Sequence, residues 1–530
     1  MTATALTRIP DAPPGTPRRR RVPVALLAMA AFLLTGAVRL VGVGPSADLF
    51  VDELIYRELG MSAAQGGFPR NEDGLFFLHP PGFFYLQAGW GELFGFEPDV
   101  VTGVYDIRVL NALLAACTAV LLLLLVVRLA SRTAGAVAAL LFALDPYIIR
   151  QNNRAMLDTE TMMWTLAGYL VLFGLIRTPL PKRARTRAAG AGLLFGLALL
   201  TKDHSALITL LPLGCALLLG WGPPRKLLLI TVSTAVVPYG LYVAAVAAAG
   251  HFDAFLDAKS AGVRRLLGLV QESGFNAPGT PSLADRLADE LTLYGSTYVL
   301  LALGPAALVL LWRSKAPARR MLALFQLCAG LTLLYALAKG TLEEQALYLL
   351  IVPNLAALTV AFSGRTRPRP HRAPRPARHR TARVAAVALL AATTAFASTS
   401  YAAGRLQDDD GYARLRSYMS EHIPAGTPVA AIDGGATRGI STWALRDRYR
   451  LGEWLTPQDR AEAQARYLVI PWKVIEEGYG GLDERQARSL AAEGKLLFST
   501  HGRTYGTLAL YELPPLAPAA PGTQGGGHGR

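Results

Sequence analysis

Long, almost uncharged runs recur along this chain, and they limit its fold more than any motif does. Segments such as 114-LAACTAVLLLLLVV and 346-ALYLLIVPNLAALTVAF are too long for buried strands and approach the roughly 20 apolar residues that cross a bilayer. The chain has 530 residues, 52% of them hydrophobic and only 17% charged, where soluble domains run near 25% charged. About eleven spans are expected, near 23–43, 108–129, 133–149, 161–177, 187–201, 204–221, 226–249, 292–312, 319–338, 345–363 and 383–401. The apolar run from Val24 to Val41 is long for a signal-peptide core, so it reads as a retained first span.

Charge sets the orientation. The net charge of +15 would raise the question of nucleic acid in a soluble protein. Here the excess sits in short clusters at every second connection, so topology accounts for it and no nucleic-acid partner is expected. The clusters are Arg18–Arg21, Arg128 with Arg132, Lys182–Arg187, Arg225–Lys226, Arg313–Arg320 and the run 365-RTRPRPHRAPRPARHRTAR. The positive-inside rule puts them, and the N-terminus, in the cytoplasm. Residues 44–107, 150–160, 202–203, 250–291, 339–344 and the tail then face outward, and most acidic residues of interest lie among them.

The expected fold is a polytopic α-helical membrane protein with a C-terminal extracytoplasmic α/β domain. Residues 1–22 read as a disordered basic cytoplasmic tail, 23–401 as the membrane domain with first external loop 44–107, 402–514 as the α/β domain, and 515–530 as a disordered end. In the tail, helices are expected at 412–422 and 483–493, and strands at 428–432, 467–470, 495–499 and 505–511. Cys117, Cys215 and Cys328 lie in apolar segments and form neither a disulfide framework nor a zinc set.

Candidate chemistry gathers at the outer ends of the spans. Asp52 and Glu53 begin a helical stretch where the first span leaves the membrane. Adjacent carboxylates point different ways on a helix, so one can serve as general base and the other as partner to Arg57, unless both belong to a solvated helix face. His79, before Pro80 and Pro81, can donate to a phosphate or carboxylate. Arg108 opens the second span against the positive-inside trend and must pair, with Asp106 or with a lipid phosphate. In 150-RQNNRAMLDTETMMW, Arg150, Arg154, Asp158 and Glu160 form a salt-bridge network, a site for sugar hydroxyls, or a divalent-cation site with Asp52. Lys202 contacts a phosphate or snorkels. Glu343 and Glu344 have the simple account of a helix N-terminal cap, with Glu344 also a candidate substrate contact beside Arg154, Asp158 and Glu160. No Gly-x-Ser-x-Gly, P-loop or zincin signature is present.

The Asp-Glu pair, 79-HPPGFFYLQ, the span beginning at Arg108, 154-RAMLDTETMMW, 191-AGLLFGLALLTKDHSALITLLP and 344-EQALYLLIVPNLAAL together resemble the GT-C membrane glycosyltransferases. The likeness is to the protein O-mannosyltransferase group, glycosyltransferase family 39, and to the lipid A aminoarabinose transferases. It implies a polyprenyl-phosphate sugar donor, a glycan, lipid or protein acceptor, and an inverting transfer on the outer face of a plasma membrane. Carried over residue by residue, it makes Asp52 the catalytic base with Glu53 beside it, and gives the donor phosphate to Arg108 with Lys202 and His79. Asp158 matches the second-loop acidic position. His79 stands where the family often has Lys, which makes the charge on one phosphate contact depend on pH. No cofactor is implied with certainty, and a divalent cation is the one candidate. A transporter or flippase of a lipid-linked or anionic substrate is the alternative, and a non-catalytic envelope scaffold a third reading; the absence of an internal repeat and the presence of Asp52 weigh against them.

Overall fold

In the computed structural model, residues 22–176, 180–269, 281–339, 345–363, 377–433, 439–478 and 481–515 are described. Each of the eleven apolar segments lies on helical backbone. The helices are α1 (Val24–Leu40), α2 (Val51–Ala64), α3 (Gly82–Phe94), α4 (Val100–Leu129), α5 (Arg132–Leu144), α6 (Pro146–Asn152), α7 (Leu157–Phe173) and α8 (Ala184–Thr201). After a 3-10 turn at Asp203–Leu207 come α9 (Leu210–Leu219), α10 (Arg225–Ala235), α11 (Val237–Ala248), α12 (Phe252–Leu266), α13 (Leu283–Asp289), α14 (Leu291–Trp312), α15 (Pro317–Lys339), α16 (Ala346–Phe362) and α17 (Ala377–Arg405). Among the described residues five helical stretches are each long and apolar enough to cross a membrane, or six if the bent α5–α6 pair is one span. The other expected spans are shorter helices. A β-hairpin, β1 (Arg70–Asn71) with β2 (Gly74–Leu75), lies between α2 and α3.

α4 is the central pillar. Two-thirds of its apolar window (67%) is buried inside the protein, against 17% for α17. Its start is fixed by Asp99, whose carboxylate accepts from the N–H groups of Val101 and Thr102. The break between α5 and α6, a bend of 66°, has a local cause. Pro146 has no N–H for the carbonyl of Phe142, four residues back. Arg39, fully buried on α1, supplies the missing donors, at 2.9 Å to Phe142 O and 2.8 Å to Ala143 O. An intramembrane guanidinium thus satisfies backbone that a proline left open.

Contacts between connections test the sidedness read from charge. Segments joined by hydrogen bonds cannot lie on opposite sides of a core ~30 Å thick. Residues 43–48, 53, 108 and 155 meet one another, Lys259 reaches Leu78 and Asp203, and Arg150 reaches Glu290. The connections 44–107, 150–160 and 202–203 and the described part of 250–291, all assigned outward, therefore share one side; 340–344 lie outside the described residues. The basic ones gather elsewhere: Arg132 donates to Val22 O, Arg128 to Leu170 O, and Arg320 lies over Trp221.

From residue 411 the chain is α/β, with α18 (Gly411–His422), β3 (Pro428–Ala431), α19 (Ile440–Leu445), β4 (Arg450–Gly452), α20 (Pro457–Ala463), β5 (Tyr467–Pro471), α21 (Trp472–Glu476), α22 (Glu484–Glu493), β6 (Lys495–Gly502) and β7 (Gly506–Glu512). The expected helices and strands form. The edge strand β4 and the short helices α19, α20 and α21 had no periodic signal strong enough to announce them. The sheet runs β4-β3-β5-β7-β6, with β3 parallel to β4 and β5, and β7 antiparallel to β5 and β6.

Strand alternation divides the core of this unit. Val429, Val469 and Leu510 face one cluster, and Ala430, Leu468 and Ile470 the other. The first cluster is completed by Leu49 and Leu54 of the α1–α2 region and by Val101 and Val104 of α4. The tail thus shares a core with the segment that carries Asp52. Polar ties reinforce it: Tyr505 donates to Leu49 O at 2.6 Å, Arg503 to Ser46 O at 3.1 Å and the Asp409 N–H to Pro45 O at 2.6 Å.

Candidate functional site

α2 separates the two adjacent carboxylates. Glu53 is fully buried. One of its oxygens accepts from Arg108 Nε and the Ala155 N–H, each at 2.8 Å; the other accepts from Arg108 Nη2 at 2.7 Å and the Phe50 N–H at 3.0 Å. Asp52 is half-buried and shares a face of α2 with Tyr56, one turn on. The Tyr56 ring meets the edge of His79, centroids 6.0 Å apart, and also packs on Phe83 and Phe84 of α3. Asp52 and Glu53 therefore have different surroundings. Glu53 is a structural ligand of Arg108 rather than of Arg57, which donates instead to the carbonyls of Glu97 and Pro98.

Arg108 departs from its expected role. Its guanidinium is fully buried and its donors are spoken for: Glu53, and the carbonyls of Val43, Gly44, Ala47 and Asp48 at 2.8–3.2 Å. Its partner is neither Asp106 nor an open position for a phosphate. The reason is geometric, since the chain leaving α1 wraps around the guanidinium and turns its carbonyls inward. Arg108 fixes the segment that delivers α2.

The second loop also divides. Asp158 holds Lys202, with Nζ at 2.8 and 3.0 Å from the two carboxylate oxygens and both side chains buried. Glu160 accepts from Trp164 Nε1 at 2.9 Å. Arg154 stacks over Phe50, 4.4 Å from the ring centre, which brings it to the N-terminus of α2. Arg150 donates to the Tyr294 hydroxyl at 2.8 Å. These contacts of the four charges lead to four different neighbours, Lys202, Trp164, Phe50 and Tyr294. Among the described residues no group of three or more His, Cys, Asp or Glu side chains can hold a metal ion, so the cation site considered for Asp52 with Asp158 and Glu160 is not assembled. Glu343 and Glu344 lie outside the described residues.

A cationic group does assemble around His79. Burial holds its imidazole well below the ordinary histidine range, and the charges of Lys202, His204, Lys259 and Arg265 push it further down. The ring is therefore neutral in the unliganded protein at neutral pH, and the pH-sensitive charge expected there needs an anion to restore it. Lys259 Nζ donates to Asp203 at 2.7 Å and to Leu78 O at 3.0 Å. Its pKa is lowered by burial and partly restored by Asp203. His204, Lys259 and Arg265 escaped the sequence reading. A signal was there: Lys259, Arg264 and Arg265 place positive charge on a connection assigned outward, the same anomaly that drew attention to Arg108.

Residues 84–249 match a family model described as dolichyl-phosphate-mannose-protein mannosyltransferase. No curated protein sequence matches the chain. Among solved structures the fold is similar to ArnT from Cupriavidus metallidurans bound to undecaprenyl phosphate, with TM-score 0.57 and 13% identity over 94% of this chain and 99% of that one. It is also similar to the archaeal oligosaccharyltransferase AglB from Archaeoglobus fulgidus, in complex with an inhibitory peptide and a dolichol-phosphate, with TM-score 0.55 and 13% identity over 84% of this chain and 69% of that one. At such identity the likeness to each is one of fold. The resemblance to GT-C membrane glycosyltransferases read from the sequence is borne out, and with it the polytopic helical architecture and the enzyme class.

Proposed function

We propose that this protein transfers a sugar from a polyprenyl-phosphate donor to an acceptor on the outer face of the plasma membrane, with inversion at the anomeric carbon. The observation that carries the reading is the convergence of His79, Lys202, His204, Lys259 and Arg265 beside the face of α2 that bears Asp52. A cluster of cations at the outer ends of apolar helices suits a phosphate whose lipid tail stays in the bilayer. The undecaprenyl phosphate and dolichol-phosphate of the two similar structures support that donor class.

In this scheme the acceptor hydroxyl or amine attacks the anomeric carbon from the side opposite the phosphate. The bond between that carbon and the phosphate oxygen breaks, and the polyprenyl phosphate leaves with the electron pair. Asp52 takes the acceptor proton. Lys259, Lys202 and His79 stabilise the charge gathering on the departing phosphate. The ion pairs Lys202–Asp158 and Lys259–Asp203 hold these ammonium groups in place before the donor arrives. Glu53 and Arg108 act as positioning residues, since together they fix where α2 begins. Arg154, Asp158 and Glu160 stand nearby as candidate sugar contacts.

The test is sugar release from a panel of radiolabelled polyprenyl-phosphate sugars by purified protein in lipid. Wild-type protein is expected to turn over one of them, and Asp52→Asn to lose at least ~100-fold while expressing normally. Full activity in Asp52→Asn would remove Asp52 from the mechanism.

A further inference from the structure

A cavity of about 520 Å³ lies on the other side of α2, away from the His79 cluster. It falls within the size range of small-molecule sites, ~300–1,000 Å³. α2 lines it with Leu54, Arg57, Glu58, Met61 and Gln65, a stripe at helical spacing opposite the face shared by Asp52 and Tyr56. The hairpin adds Arg70, Asn71 and Glu72, and the tail unit adds Trp443, Arg446 and Asp447. The membrane part and the tail therefore build it jointly.

Its chemistry is specific in kind. Three guanidinium groups, those of Arg57, Arg70 and Arg446, face three carboxylates, those of Glu58, Glu72 and Asp447, so formal charge cancels and neither an anion nor a cation is favoured. Arg446 is held rigid by ion pairs to Glu58 and Glu72 and by stacking 3.6 Å from the centre of the Trp443 ring. Trp443 is buried, at 5% exposure, and its ring forms a flat wall of the groove under Arg446. Planar guanidinium, carboxylate and amide groups around an apolar floor of Leu54, Met61 and Val100 match a ring with hydroxyl edges and a C–H face.

We infer that this groove is a saccharide subsite that grips a neutral stretch of a glycan acceptor about one helix diameter, ~10 Å, from the reacting end. The word acceptor rests on the transferase reading above; saccharide binding does not. The groove holds several sugar units of the chain while its terminus reaches round to Asp52.

The experiment measures binding of neutral mannose, glucose, galactose and arabinose pentasaccharides to the full-length protein in nanodiscs by saturation-transfer NMR. Wild type and Asp52→Asn are expected to bind the same oligosaccharide equally well. Arg70→Ala combined with Gln65→Ala, both side chains outside the ion pairs that hold the tail, should weaken it about tenfold. Absence of binding by every pentasaccharide, binding unchanged by these substitutions, or a groove that takes short peptides instead would overturn the inference. Saccharide binding without any sugar transfer would leave this inference standing and remove the catalytic reading.

Discussion

Two cationic regions stand on the same side of the molecule and differ in what their charges meet. Around Arg108 every guanidinium direction ends on Glu53 or on a carbonyl of residues 43–48, inside a sealed interior. Around His79 several cations from different parts of the chain converge on one imidazole. Lys202 pairs with Asp158 and Lys259 with Asp203, and the charges of Lys202, His204, Lys259 and Arg265 together hold the His79 pKa down. A buried charge whose donors are all matched by the fold builds structure; converging cations that depress a histidine pKa are the arrangement the proposed donor phosphate would use.

The contrast is sharpest in the response to truncation. Arg108→Ala leaves Glu53 buried without a counter-charge and should cost about 3–5 kcal/mol of stability, read as a large fall in Tm and in yield of folded protein. Lys259→Ala should do the opposite. The protein folds with nearly unchanged Tm, while affinity for polyprenyl phosphate falls roughly 10-fold or more, as expected for a lost charge-assisted hydrogen bond worth ~1.5–3 kcal/mol. If Arg108→Ala folded well and lost only donor affinity, the assignment of the two regions would have to be exchanged.

A smaller effect follows from pH. The folded pKa of His79 lies well below its ordinary value, so the unfolded chain takes up the proton first and stability falls as pH drops below about 6.5. A bound phosphate diester reverses the penalty by raising that pKa. Donor affinity is therefore expected to rise as pH falls from 8 toward 6, and His79→Gln to flatten the slope in a titration of polyprenyl-phosphate-sugar binding. A flat profile in wild type would place His79 out of reach of the phosphate.

The smallest expected change concerns Asp48, beside the sealed region. Burial pushes its carboxyl up to about 7, with Asp409 adding to the shift, although it accepts the N–H groups of Leu49 and Tyr412. A raised folded pKa means that stability declines as pH climbs from about 4 to about 7 and is level above that. Asp48→Asn keeps an acceptor for Tyr412 and removes the buried charge. It should raise Tm by a few degrees at pH 8 and leave it nearly unchanged at pH 4. A lower Tm at pH 8 would mean that the charge itself holds the tail in place.

The membrane architecture was largely written in the sequence, because hydrophobic length and the side of each basic cluster are one-dimensional properties. The contacts among outward connections agree with the alternation read from charge alone. Asp52, Glu53, His79, Arg108, Asp158 and Lys202 were all identifiable as charges in unusual places. Their roles were not. Whether Arg108 is a ligand or an anchor depends on how many carbonyls the chain after α1 turns toward it, and whether Lys202 is alone depends on Asp158, 44 positions away. Lys259 and Arg265 were legible only as positive charge on an outward connection, and it is the contact of Lys259 with Leu78 and Asp203 that ties this helix to the His79 segment.

The sequence by itself determined that the chain spans a membrane, which connections share a side, and the type of enzyme, since apolar length, charge bias and short polar landmarks survive as strings. Only the tertiary structure decided which charges are spent, which face of α2 each carboxylate takes, and that the tail closes a groove against that helix. Those outcomes depend on distances between residues far apart in the chain, and a buried charge acquires its role from the donors and acceptors that folding brings within about 3 Å.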